Sequence, residues 1–363
     1  MTHFLSDILR QPDELQRTID HLSGAGRGAL DAAVAAVRSA RHVYLTGIGS
    51  SWHAGLNVAV LLQLAARPVY LVDAAELLQF AAIPAASVLI VISRSGRSVE
   101  IVQLLAKARE SGATVIGITN AAEGTLAREA AIPLVIPVEL DHAISVNTYT
   151  TLALAAGVLA GSVTGSVDLT GHTAKIGCAA ADSLSRAFAA AGRAIPGWQA
   201  QIENSAWLAP RSTTYFLARG SSLGSAYEAR LMWEEGVKSP ATAMGTGSFR
   251  HGPQEIVGKD VRFGMWIDGA KMREQDLAVA RDLRKLGARV MLIGQRLPED
   301  AGDLAFQLPE IASEWQFLID IIPAQLVAER LARLSGSDPD TFRLCSFVVE
   351  DEAGLLPREK RKG

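Results

Sequence analysis

With 363 residues, 49% hydrophobic and 20% charged, the chain has the composition of a folded soluble protein, and its length points to two domains. A net charge of -3 excludes a broad attraction to nucleic acid or an anionic membrane, leaving room only for a local positive pocket. Two cysteines, Cys178 and Cys345, are too few for a disulfide framework or a Cys-based zinc site and fit a reducing compartment, so a cytoplasmic location is expected.

The N-terminus reads as helices over 1–10, 13–22 and 28–40, with a break at Gln11-Pro12 and with Asp13 and Glu14 placed to favour a helix start after the proline. No signal-peptide core is present there. Strand-like runs follow at 43–46, 68–72, 88–92, 114–119 and 134–138, with helical stretches such as 54–66 and 99–111 between them. This alternation predicts an α/β fold, a parallel sheet with helices on both faces. The longest apolar run, 143–163, is interrupted by Asn147, Thr148 and Thr150, so no membrane span is expected.

The turn Ser93-Arg94-Ser95-Gly96-Arg97-Ser98 joins an apolar strand, short enough to be buried on both faces, to the helix 99–111, which Gly112 closes. Ser93, Ser95 and Ser98 offer hydroxyl donors, Gly96 allows close backbone approach, and the unpaired N–H groups of a helix start favour an anion such as phosphate. Equally, Ser98 could be a plain N-cap and the other serines loop polarity.

The pattern then repeats. Tyr44-Leu45-Thr46-Gly47-Ile48-Gly49-Ser50-Ser51 aligns with Tyr215-Phe216-Leu217-Ala218-Arg219-Gly220-Ser221-Ser222, and 112–118 resembles 287–293. Two copies of one α/β unit are therefore expected, joined by an alanine-rich helical stretch at about 171–201 whose Ala179-Ala180-Ala181 reads as helix. Gly47-Ile48-Gly49 lacks the third glycine of a dinucleotide site, since Trp52 stands there, and a Walker lysine is missing, so no nucleotide cofactor is expected.

In the second copy, 227–238 is helical in character and puts Glu228 and Glu235, seven residues apart, on one face. Glu235 falls at the end of that helix, where the dipole and Glu234 should raise its pKa toward a value suited to acid/base work, unless Glu234 and Glu235 are simply solvated. His251, held before Gly252-Pro253, can titrate near neutrality and is a candidate proton carrier. No partner at metal spacing accompanies it, so no metal site is expected.

Together these pieces, with Asp7-Ile8-Leu9-Arg10-Gln11-Pro12, Tyr149-Thr150-Thr151 and Arg250-His251-Gly252-Pro253, resemble the sugar isomerase (SIS) family, in particular the isomerase half of glucosamine-6-phosphate synthase and stand-alone relatives. The resemblance implies two tandem SIS domains, each a five-stranded parallel sheet flanked by helices in a flavodoxin-like three-layer sandwich. The expected divisions are N-terminal helices at 1–40, a first SIS domain at 41–170, a helical connection at 171–205, a second SIS domain at 206–335, and a tail at 336–363 that closes the site. It further implies that Ser50, Ser51, Ser93, Ser95, Gly96 and Ser98 hold the phosphate of a sugar. Gly49, Ser145, Val146, Asn147 and Glu228 would line the sugar, and Glu235 would move a proton between C1 and C2. His251 would assist ring opening across the interface of a homodimer.

Three departures shape the expected activity. Activity without a glutaminase segment and its cysteine nucleophile is expected, Met232 stands where the synthase has a lysine, and Phe347 or a neighbour stands where it has another. Lys360 and Lys362 come too late to substitute and read as a solvated basic end. Loss of two lysines removes a Schiff-base option, so the implied chemistry is phosphosugar isomerisation or amine release from a phosphorylated amino sugar or fructosamine, without metal or nucleotide. Arg94 and Arg97 flank the serine turn, either facing an acidic part of the substrate or solvent. A phosphosugar sensor without catalysis is the alternative.

Overall fold

The computed structural model describes residues 1–169, 179–203, 205–208, 212–352 and 354–355. Cys178, Lys360, Lys362 and the early part of the expected 171–205 connection lie outside the described residues.

In chain order the first half comprises α1 (His3–Ser23), α2 (Arg27–Ser39), β1 (His42–Thr46), α3 (Ser50–Leu64), β2 (Tyr70–Leu71), α4 (Ala74–Phe80), β3 (Ser87–Ile92), α5 (Val99–Ser111), β4 (Thr114–Thr119), α6 (Thr125–Glu129), β5 (Ile132–Val135) and α7 (Asn147–Thr164). A short pair, β6 (Val167–Asp168) and β7 (Ala179–Ala180), leads to α8 (Ala181–Glu203). The second half comprises β8 (Thr213–Ala218), α9 (Leu223–Met232), β9 (Ala241–Gly245), α10 (Thr246–Phe249), β10 (Val261–Trp266), α11 (Arg273–Lys285), β11 (Arg289–Gly294), β12 (Leu304–Gln307) and α12 (Ile321–Leu334).

Both five-stranded sheets are wholly parallel. The first has the order β2-β1-β3-β4-β5, and the second, read from β9, has the matching order β9-β8-β10-β11-β12. The repeat seen in the sequence is therefore a repeat of topology. Gly49 and Gly220, aligned by that repeat, have φ values of 57° and 55°.

Continuous apolar strands are what a sheet covered on both faces requires. In register, Tyr44, Leu89 and Val115 form one row and pack outward with α4, α5 and α6. The next row, Leu45, Ile90 and Ile116, packs inward with α2, α3 and α7. In the second sheet Leu217, Met265 and Leu292 face α11, whereas Phe216 and Met291 join the same inner core as the first sheet. The two halves thus share one central core, crossed by α3, α7, α9 and α12.

The structure corrects several local expectations. Gln11-Pro12 does not break the N-terminal segment, and α1 runs through Pro12. An internal proline costs roughly 3 kcal/mol, but α1 packs on α7, α8 and α12, Pro12 abuts Gly192, and the buried Gln11 side chain donates to Gln325 at 2.6 Å. Ala179-Ala180 are extended rather than helical, and helix begins only at Ala181. β5 starts two residues earlier than expected and includes Pro133, which an edge strand tolerates because it pairs on one side only. The segment 227–238 is not one α-helix: α9 ends at Met232 and residues Trp233–Val237 form a π turn, a widening that recurs at functional sites.

The halves meet where α9 crosses α3. A Cβ on Gly224 would lie 2.1 Å from Asn57 Oδ1 and 2.3 Å from the carbonyl oxygen of His53, so only glycine permits this approach. Gly224→Ala is expected to destabilise the fold by about 2 kcal/mol or more, the cost of overpacking a closed interface. Thermal unfolding of the variant beside wild type checks this, and an unchanged Tm would show that the two helices can separate freely.

Candidate active site

The serine turn follows directly from β3. Ser93 Oγ accepts the Gly96 N–H at 3.1 Å and Ser95 Oγ accepts the Arg97 N–H at 3.2 Å, so the hydroxyls shape the turn while keeping their own protons for another acceptor. Gly96 has φ of 61°, and a Cβ there would sit 2.9 Å from Leu126 Cβ, so the turn needs glycine for both conformation and space. Ser98 precedes α5 but its side chain caps no backbone N–H, which removes the plain N-cap reading.

From the other half, α9 brings Glu228 against the start of α3. Its carboxylate accepts a hydrogen bond from Ser50 Oγ at 2.9 Å and pairs with His53 Nδ1 at 2.7 Å, with Glu228 and His53 buried and Ser50 partly exposed. The π turn then carries Glu235 to a cavity of about 200 Å³ whose opposite lining is the serine turn. Burial pushes the Glu235 carboxyl up to about 7, with the nearby charge of Glu228 adding to the shift and Arg94 and Lys238 opposing it. The cause differs from the helix-end expectation, because desolvation dominates and Glu234 contributes least. Glu234 itself is exposed and pairs with Arg230 at 3.5 Å.

Arg94 lines the same cavity. Among the described residues its guanidinium donates to neutral oxygens, Ser145 Oγ at 3.0 Å, the Ala143 carbonyl at 3.4 Å and the Phe347 carbonyl at 2.6 Å, and stacks 4.0 Å over the Phe347 ring. Arg97 instead is exposed and faces Glu350. The tail forms one wall through Phe342 and Cys345 to Val349, and the Val349 carbonyl accepts the first N–H of α5 at 3.0 Å.

Gly49, Ser50, Ser51, Ser93, Ser95, Ser98, Ser145 and Glu235 therefore line one cavity. Gly96 and Glu228 stand behind that lining, one shaping the turn and the other holding Ser50. Val146 and Asn147 do not reach the cavity. Both are fully buried, and Asn147 donates to Asp141 and to the Asp7 carbonyl, because the start of α7 is anchored on the Asp141 carboxylate. His251 also lies outside its own chain's cavity, exposed in the turn after α10. Met232 is in the hydrophobic core rather than on the cavity, so a side chain there meets no ligand in this chain. Among the described residues no group of three or more His, Cys, Asp or Glu side chains is placed to hold a metal.

Sequence reasoning missed His53 and Asp141. His53 lies four residues into a helix of apolar character, and only the tertiary contact with Glu228 gives it a polar role. Asp141 does carry a signal, an acidic residue shortly before a helix start.

The second copy of the turn is built differently. After β10 the Asp268 carboxylate accepts the N–H groups of Ala270, Lys271 and Met272 at 2.9–3.1 Å, the amides that lead into α11. Ser221 and Ser222 donate to the Ser313 carbonyl and to Asp320, and Arg219 pairs with Asp276 at 2.7 Å. In this copy the protein's own side chains occupy the turn amides and the serine hydroxyls.

Residues 36–160 match the family model described as SIS domain. Glutamine–fructose-6-phosphate aminotransferase (isomerizing) from Pyrobaculum aerophilum is 26% identical over 96% of this chain, and the enzyme of that name from Pseudomonas aeruginosa is 25% identical over 94%. The chain spans about 58% of the length of the former and 57% of the latter. Among solved structures, the C-terminal domain of glucosamine-fructose-6-phosphate aminotransferase from Francisella tularensis has a TM-score of 0.82 at 20% identity, covering 94% of this chain and 98% of that one. Glucosamine-6-phosphate deaminase from Thermotoga maritima (TM-score 0.77, 21% identity, coverage 96% and 99%) and tagatose-6-phosphate ketose/aldose isomerase from Escherichia coli (0.78, 21%, 94% and 95%) share the fold.

A carboxyl whose folded pKa lies above its unfolded value loses stability as it ionises, so the penalty is full above about pH 7 and absent below about 4.5. Glu235→Gln should therefore raise Tm more at pH 8 than at pH 4.5. The gain should be on the order of 2 kcal/mol at pH 8, allowing for partial solvent screening. Calorimetric scans at both pH values check the sign, and equal shifts at the two would contradict it.

Proposed function

Because the chain is a SIS-domain protein in which a second sheet repeats the first, we propose that it binds an open-chain phosphosugar and moves a proton between C1 and C2, as an isomerase or an amine-releasing enzyme. One observation carries the reading: a hydroxyl-rich turn of the first half and a near-neutral carboxyl of the second half line the same cavity. In this reading Ser50, Ser51, Ser93, Ser95 and Ser98 hold the phosphate. Phosphate binding fixes the sugar so that carbon-bound hydrogen faces Glu235. The ionised carboxylate takes the proton from one carbon, leaving an enediol or enamine, and returns it to the other.

Glu228 raises the affinity of Glu235 for a proton, and Arg94 keeps that affinity from rising further. Proton abstraction needs the carboxylate, so the rate should climb with pH through an acid limb centred near 7. His251 lies outside its own cavity, and in this reading it enters that of a second copy to assist ring opening.

Four outcomes test the reading. Glu235→Gln should lower turnover at least a thousandfold while leaving phosphosugar affinity within a few fold. Wild-type protein that binds phosphosugars yet neither exchanges C1/C2 hydrogen with deuterium nor releases amine would be a sensor instead. Ser95→Ala with Ser98→Ala should weaken a phosphorylated ligand at least about tenfold, and equal weakening of an unphosphorylated sugar would remove the phosphate assignment. Mixing Glu235→Gln with His251→Ala protein, each inactive alone, should restore roughly a quarter of wild-type activity if sites are shared in a two-fold dimer. No recovery after subunit exchange would place His251 outside the reaction.

A further inference from the structure

Glu235 borders a second cavity of about 380 Å³, lined also by Glu234, Lys238, Pro240, Phe342, Arg343 and Leu344. Glu235, Phe342 and Cys345 line both cavities, so the carboxyl stands at their junction. A six-carbon chain anchored by a phosphate on C6 presents C1 and C2 at its opposite end. Whatever is attached to C1 therefore extends past Glu235, away from the serine turn. A simple aldose or ketose has only a hydroxyl or carbonyl there and leaves a space of this size unused, whereas ligand sites of several hundred Å³ suit larger groups.

The chemistry of the lining is mixed. Pro240, Phe342 and Leu344 supply apolar surface. The Lys238 ammonium is committed to the carbonyls of Glu235 and Thr341, and Glu234 is paired with Arg230. Arg343 has no hydrogen bond or ion pair among the described residues. A guanidinium on the wall of a ligand-sized space favours a carboxylate, which it can bind through two parallel hydrogen bonds.

We propose that this cavity holds the nitrogen-linked substituent of a 6-phosphorylated ketosamine, and that Arg343 selects a substituent bearing a carboxylate, as an amino acid provides. The inference rests on the phosphosugar reading above and names its substrate class. Calorimetry on Glu235→Gln protein, which holds ligands without turnover, compares three probes: fructose 6-phosphate, its 1-amino-1-deoxy conjugate with glutamate, and the corresponding conjugate with butylamine. The glutamate conjugate should bind at least tenfold more tightly than fructose 6-phosphate. Adding Arg343→Ala should remove most of that gain while changing the affinities for the other two probes less than twofold. Because Arg343 is exposed, its loss should leave folding intact, which an unchanged Tm verifies. Fructose 6-phosphate and the glutamate conjugate binding alike, or Arg343→Ala weakening all three equally, would overturn this inference and leave the phosphosugar reading standing. Failure of all three to bind would overturn both.

Discussion

The contact between α3 and α9 is the constraint on which the site depends. Each helix begins at the C-terminal edge of its own sheet, and Gly224 lets the backbones approach closely enough for Glu228 to reach Ser50 and His53. That contact fixes the relative placement of two half-sites contributed by residues nearly two hundred positions apart in the chain. Any slip between the sheets would separate the hydroxyls from the carboxyl. One continuous core beneath them makes such a slip costly, since Phe216 and Met291 of the second sheet pack with Leu45 and Ile90 of the first.

Glu235 is held in a compromise. Desolvation and Glu228 favour its neutral form, whereas Arg94 and Lys238 favour the charged one, and the balance falls near neutrality. A group so poised can both take and return a proton at ordinary pH, and the fold accepts a destabilised carboxylate in exchange. Arg94 serves two surfaces at once. It tempers Glu235 through space, and its hold on Ser145 and on the Phe347 ring and carbonyl fastens the tail to the cavity wall.

Much of this architecture is legible in sequence because parallel strands buried on both faces announce themselves as short apolar runs. β4 and α5, with the left-handed cap at Gly112, fall where the pattern puts them. The repeat is legible because turns tolerate few substitutions at positions of positive φ, as Gly49 and Gly220 show. What the sequence hides is whatever tertiary packing overrides. Pro12 should end a helix and does not, because its neighbours pack around it, and the π turn at Trp233–Val237 has no local signature. At the site, the serine turn and Glu235 carried recognisable chemistry, while His53 did not, and Val146 and Asn147 lie behind the cavity rather than on it. The family resemblance suggested that they line a sugar, yet in this chain they anchor the start of α7 on Asp141.

Asp268 shows how far the two copies have drifted within a shared topology. Where the first half closes its turn amides on the hydroxyls of Ser93 and Ser95, the second supplies a carboxylate to the matching amides. A guest anion arriving there would meet a resident of like charge that cannot leave. The two copies therefore share a topology but not a chemistry, with a carboxylate at the second turn where the first presents hydroxyls.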